Sequence, residues 1–222
     1  MDKQIIEVKA PTTNFGPVES YKTLRTNLLY TENLQVISVT SSSPDEGKTV
    51  TAFNLANSFA QMGKKVCLVD CDLRRSSLKN YLLIRNKQTG VSEYLTRQTK
   101  DYIKETSIEN LYIVLSGKKP PNPSELLSSK SFENLISELK NIFDYIIIDS
   151  PPVTVAMDAA IIGRAADGVV LVVRNEYTKR NVVKRSKTEL ERNGSRIVGV
   201  VLNRVSKNQM EYGNYYGYSK YY

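Results

Sequence analysis

The sequence predicts an α/β domain with a parallel sheet, helices on both faces, an extra N-terminal helix and a flexible C-terminal tail. Three observations predict it. Short runs rich in β-branched residues are apolar throughout, as in strands buried on both faces. Helix-length amphipathic stretches alternate with them, as crossover connections between parallel strands require. The 222 residues are 41% hydrophobic and 24% charged, which is enough apolar material for one sizeable core.

The elements follow in order. Pro17 and the helical spacing of Tyr21, Leu24 and Leu28 predict a helix over about 17–31. Strands are expected at Val36 to Val39, Val66 to Val69, Leu111 to Leu115, Tyr145 to Ile148, Val169 to Val173 and Ile197 to Leu202, all fully buried. Helices are expected at Thr49 to Met62, Phe132 to Ile142 and Thr178 to Asn193, with Gly63 and Gly194 as C-caps. One domain spans 1–205, its α/β part beginning near residue 33. The stretch 206–222 is low in complexity and has no aliphatic residue after Met210, which marks it as a flexible tail.

Composition narrows the chemistry. The chain has no histidine, which removes Ser-His-Asp and Cys-His nucleophile systems, histidine-ligated zinc and the His-Arg-Asp loop of eukaryotic-type protein kinases. The net charge of +8 suits an anionic partner without choosing one. Cys67 and Cys71 are too few for a disulfide framework and are read as reduced thiols of a cytosolic protein. The N-terminus carries no signal-peptide core, and the longest apolar runs are far short of a membrane span.

Ser41-Ser42-Ser43-Pro44-Asp45-Glu46-Gly47-Lys48-Thr49 lies directly between a strand and a helix. Such a loop presents backbone N–H groups of a helix N-terminus to phosphates. Ser43, Pro44, Asp45, Glu46, Gly47, Lys48 and Thr49, with Val50 in the first helical turn, are therefore the candidate nucleotide contacts. Lys48 is expected on the β- and γ-phosphates and the Thr49 hydroxyl on Mg²⁺. Ser42 stands where the usual pattern has its first glycine.

Two further strands end in carboxylates. Cys67-Leu68-Val69-Asp70-Cys71-Asp72 places Asp70 and Asp72 on one side of an extended segment. Tyr145-Ile146-Ile147-Ile148-Asp149 puts Asp149 at a Walker B position, where an aspartate holds Mg²⁺. In an open parallel sheet the carboxyl ends of the strands form the ligand crevice, so these groups should meet the phosphate loop. The set suits phosphoryl transfer, with Asp70 accepting the proton of the nucleophile. A carboxylate is a weak base for a phenol, so orientation matters more than basicity.

Together these motifs resemble the cytoplasmic domain of bacterial tyrosine kinases, the regulators of capsule and exopolysaccharide synthesis in Gram-positive bacteria. The resemblance covers nearly the whole chain: Walker A (Ser42 to Thr49), Walker A′ (Val66 to Arg74), Walker B (Tyr145 to Pro151), the loop Gly117 to Leu127 and a tyrosine-rich tail. It implies ATP and Mg²⁺ as cofactors, with Thr49, Asp72 and Asp149 at the metal and Lys48 and Asp70 as catalytic residues. Asn203 is similar to the asparagine that contacts adenine in related ATPases. The Glu-x-x-Arg-x-x-Arg helix motif, here Glu19, Lys22 and Arg25, implies self-assembly into a ring, with lysine replacing the first arginine. The family further implies a transmembrane adaptor of the polysaccharide co-polymerase type, and a cytoplasmic chain held at the inner membrane face through it.

The tail supplies the expected acceptors Tyr212, Tyr215, Tyr216, Tyr218, Tyr221 and Tyr222, phosphorylated in trans. Accumulated phosphate charge would then loosen the assembly. Two rival readings fit the residues less well. A switch ATPase of the partition or septum-positioning type would carry a lysine where Ser43 stands, and would lack the tail. The helix from Thr178 to Asn193 is basic, but no aromatic interleaving or DNA- or RNA-binding motif accompanies it, so no nucleic-acid partner is expected.

Overall fold

A computed structural model describes residues 5–8, 15–84 and 88–206. The six candidate acceptor tyrosines lie outside them, as does the expected tail from residue 207 onward. The first half of the chain forms α1 (Phe15–Leu29), β1 (Val36–Ser41), α2 (Lys48–Ala60), β2 (Val66–Asp70), α3 (Leu78–Tyr81), α4 (Val91–Leu95), β3 (Lys104–Glu105) and β4 (Leu111–Val114). Then come α5 (Pro123–Leu127), α6 (Lys130–Lys140), β5 (Tyr145–Asp149), α7 (Asp158–Ala165), β6 (Gly168–Arg174), α8 (Arg180–Arg192) and β7 (Ile197–Asn203).

The strands form one seven-stranded sheet in the order β3-β4-β2-β5-β1-β6-β7. All are parallel except the two-residue β3, which pairs antiparallel with β4 at the edge. Side chains alternate across the sheet. Val66 and Leu68 of β2 pack with Phe53, Leu55 and Phe59 of α2, over which α1 lays Leu24 and Leu28. Cys67 and Val69 face the opposite layer, where Phe132, Leu135 and Leu139 of α6 and Ile162 of α7 cover β5. Leu190 of α8 closes a smaller cluster on β6. Each fully buried large apolar side chain contributes about 1.5–3 kcal/mol, so these two faces carry most of the stability.

The expected strands and long helices are present with ends shifted by a residue or two. Gly63 and Gly194 follow α2 and α8 with φ of 80° and 84°, the left-handed geometry a helix C-terminus favours. Both cysteines are buried and free. The expected full burial fails at Ile197 to Leu202. β7 is the outer strand, and Val200 and Leu202 are 60% and 56% exposed on a face that α8 covers only partly. The short helices α3, α4, α5 and α7 carried too few residues to give a periodic signal.

Candidate active site

β1, β2 and β5 are neighbours in the sheet, and their carboxyl ends deliver the site. The phosphate loop leaves β1 at Ser41 and turns on Asp45 (φ 62°) and Gly47 (φ 93°). A Cβ on Gly47 would meet the Asn203 amide at 2.1 Å, so both conformation and space demand glycine there. The loop is braced from within. Ser41 Oγ donates to the Ser43 carbonyl (2.8 Å), and the Ser43 N–H donates to Glu46 Oε2 (2.9 Å). Thr178 donates its hydroxyl to the other Glu46 oxygen. The buried Glu46 side chain is thus loop scaffold. Asn203 donates to the Glu46 carbonyl (2.8 Å), which seats the end of β7 on the loop.

Lys48 Nζ sits 3.1 Å from Asp72 Oδ2, 3.3 Å from Asp149 Oδ1 and 3.3 Å from Thr49 Oγ1. Burial opposes its charge, but Asp149 and Asp72 outweigh that and raise its pKa. Asp70 and Asp149 pair directly in register across β2 and β5. Burial, followed by the charge of Asp149, pushes the Asp70 carboxyl up to about 7. Asp149 is likewise raised by burial, against the pull of Lys48. The sequence reading placed Lys48, Thr49, Asp70, Asp72 and Asp149 together, and the fold does so.

Two hydroxyls of the segment after β2 were not foreseen. Ser76 donates to Asp70 Oδ2, and Ser77 Oγ lies 2.9 Å from Thr49 Oγ. Both follow the Walker A′ strand directly, but nothing in a serine pair announces which carboxylate it will reach. A second unforeseen group is the fully buried Asp158 at the start of α7. It accepts from Arg74 Nε (2.7 Å), from Arg74 NH2 (3.2 Å) and from Ser124 Oγ (2.5 Å). This knot fastens the Gly117 to Leu127 loop to the Walker A′ segment. Asp158→Ala is expected to cost about 1–3 kcal/mol, since Arg74 stays partly solvated and charged hydrogen bonds are worth that much. Urea denaturation of the variant measures it, and an unchanged midpoint would refute the role.

The three charges on α1 do not share one outer face. Glu19 and Lys22 pair at 2.7 Å in the open, whereas Arg25 turns inward to the Ser58 carbonyl of α2 (2.6 Å). Steps of three residues keep such charges near one side of a helix, but the α2 carbonyl offers Arg25 a closer partner.

The donor set suits Mg²⁺. Thr49, Asp72 and Asp149 offer hard oxygens, and Asp149 Oδ2 is buried without a hydrogen-bond partner. The described residues hold no complete cluster of three or more acidic or sulfur ligands. Phosphate and water oxygens would complete such a shell, as is usual for Mg²⁺.

Residues 34–188 match the family model described as an AAA domain. Tyrosine-protein kinase CpsD of Streptococcus agalactiae is 41% identical over 206 residues, spanning 91% of this chain and 90% of that protein. The chain belongs to the bacterial tyrosine-protein kinase family. Its fold agrees: the kinase domain of the Escherichia coli tyrosine kinase ETK superposes with a TM-score of 0.79 at 30% identity, over 89% of this chain and 85% of that one. The septum site-determining protein MinD of Pyrococcus horikoshii, solved with Mg-ADP, is more distant. It has a TM-score of 0.67 and 27% identity over 79% of this chain and 73% of that one. The family and the fold make this a nucleotide-binding P-loop protein, and the partition-type rival is a distant structural relative of this kinase.

Proposed function

We infer that the chain is an ATP- and Mg²⁺-dependent protein-tyrosine kinase that phosphorylates the tyrosines of its own C-terminal segment in trans. One observation carries the reading: Lys48, Asp72 and Asp149 close on one point beside the buried Asp70, in a chain of the tyrosine-kinase family. In this reading the loop amides from Ser43 to Val50 and the Lys48 ammonium hold the β- and γ-phosphates. Thr49, Asp72 and Asp149 hold Mg²⁺, which when bound neutralises charge developing on the transferred phosphoryl group. Asp70 takes the proton from the incoming tyrosine hydroxyl, its carboxylate kept in place by Ser76 and by the Asp72 N–H (3.2 Å). Raised toward 7, Asp70 is a better match for proton transfer at neutral pH than an ordinary aspartate.

Tyr212, Tyr215, Tyr216, Tyr218, Tyr221 and Tyr222 are the acceptors in this reading, on a tail 206–222 that follows a kinase domain 1–205. Stretched out, residues 207–222 reach about 50 Å, enough to enter a neighbouring copy's site. Glu19, Lys22 and Arg25 support self-assembly, with Arg25 acting through the packing of α1 on α2. The role is regulation of capsule or exopolysaccharide synthesis and export, through a transmembrane adaptor that activates the kinase at the inner membrane face. Among the described residues no helix is long and apolar enough to cross a membrane, so the adaptor would supply the anchor.

The test is peptide mass spectrometry after incubation with Mg-ATP, with and without a candidate adaptor's cytoplasmic peptide. Phosphate is expected on the tail tyrosines. Replacing all six by phenylalanine is expected to cut incorporated phosphate to below about a tenth, since phenylalanine has no hydroxyl to take it. ATP hydrolysis without phosphotyrosine under either condition would move the assignment to a switch ATPase.

A further inference from the structure

A groove of about 650 Å³ runs between the segment 153–157 and α8, outside the site described above. One wall presents Val155 and Met157, which are 53% and 49% exposed. The other presents Lys184, Arg185 and Arg192, exposed cations without an ion pair or side-chain hydrogen bond among the described residues. Lys187, on the same helix, is instead paired with Glu191 at 2.7 Å. Arg185 and Arg192 lie two turns apart on one helical face. Glu189 also lines the groove, its carboxylate engaged by Asn193 at 3.1 Å. Ser186 lines it as well, buried to 1% exposure with a hydroxyl that has no partner.

We propose that this groove is a phosphotyrosine-docking site whose occupant is the chain's own phosphorylated segment 207–222. The inference rests on the reading of that segment as the acceptor tail. An aryl ring carrying a dianion matches the two walls. The ring lies on Met157 and Val155, and the phosphate meets the guanidinium forks of Arg185 and Arg192 and the Lys184 ammonium.

Two observations favour the tail over other anions. The first is position. The groove's segment is hydrogen-bonded to the phosphate loop, Val153 N–H to the Ser41 carbonyl (2.8 Å) and Thr154 N–H to the Ser42 carbonyl (3.1 Å). Asn203, just before the tail begins, is bonded to the same loop. Departure point and groove therefore border one short loop, well within the roughly 50 Å the tail can reach. The second is charge. The unmodified tail sets Glu211 against Lys207 and Lys220 and has little claim on a basic groove. Each phosphate adds between about −1.5 and −2, so only the product form is strongly anionic. The groove would then hold the product tail and keep it from re-entering a phosphate site.

The experiment uses the full chain carrying Lys48→Met, so that its own tail stays unmodified. The probes are labelled synthetic peptides of residues 207–222, one phosphorylated at Tyr215, Tyr216 and Tyr218 and one not, followed by fluorescence anisotropy. The phosphopeptide is expected to bind about tenfold tighter or more, the worth of one charge-assisted contact. In the same background R185E combined with R192E is expected to erase that preference, and Lys187→Glu, outside the groove, to keep it. Melting curves of the exposed-site variants check that they remain folded. Equal binding of the two peptides, or a preference that survives the double reversal, would overturn the proposal. Loss of phosphopeptide binding alongside reversal-sensitive binding to phosphatidylglycerol vesicles would overturn it in favour of a membrane-facing surface. The peptides are made synthetically, so a tail that takes no phosphate from Mg-ATP would sink the kinase reading without deciding this one.

Discussion

Lys48→Met is expected to reduce phosphotyrosine formation about a thousandfold or more, in line with losing a preorganised cation at a phosphoryl group. Methionine keeps much of the side-chain volume and removes the charge. The lysine has two duties in this fold. It reaches the phosphates, and it stands between Asp72 and Asp149 at 3.1 and 3.3 Å. Its loss leaves buried carboxylates facing one another without a cation, so the variant should take up protons at higher pH than the native chain. Single-turnover transfer from labelled ATP measures the first effect. A loss of less than about tenfold would show that Lys48 is not at the transferred phosphate.

Asp70→Asn is expected to slow transfer by roughly 10²–10⁴, the range for a positioned general base. Asparagine fits the site: its oxygen can accept the Asp72 N–H while its amide donates to Ser76 Oγ. The native rate should climb as pH rises through about 7, because Asp70 must lose its proton before accepting another. The variant should lose that limb. Stability must move in the opposite direction. A carboxyl raised above its unfolded value stabilises the fold while protonated, and that contribution is lost as pH rises through the folded value. Nucleotide-free native protein should therefore melt lower at about pH 8 than at about pH 6, and the variant should show less of that fall. A variant that lost both activity and stability at high pH would mark Asp70 as scaffold, not base.

The site was legible in the sequence because its carboxylates end apolar strands. A β-branched run such as Tyr145-Ile146-Ile147-Ile148 reads as a buried strand, and parallel topology then sends Asp149 to the same edge as Lys48 and Asp70. Contacts set by loops were not legible. Arg74 was visible within its motif, but its partner Asp158 lies 84 residues away and heads a short helix with no periodic signature. Glu46 looked like a ligand-facing loop residue and proved to be a brace, since only the fold brings Thr178 across to it. β7 misled for a related reason. An apolar run does not say whether the next layer extends far enough to cover it, and Val200 and Leu202 stay exposed on this outer strand.

The two thiols of this chain make a stopwatch. Cys67 lies in β2 and Cys71 just beyond it, flanking Asp70, with both thiols fully shielded and burial raising both pKa values well above the ordinary thiol range. Neither can form the reactive thiolate while β2 stays zipped between β4 and β5. An alkylating reagent would therefore count openings of the strand that carries the proposed base. Anything that tightens the crevice should slow the labelling by the same factor as it suppresses those openings.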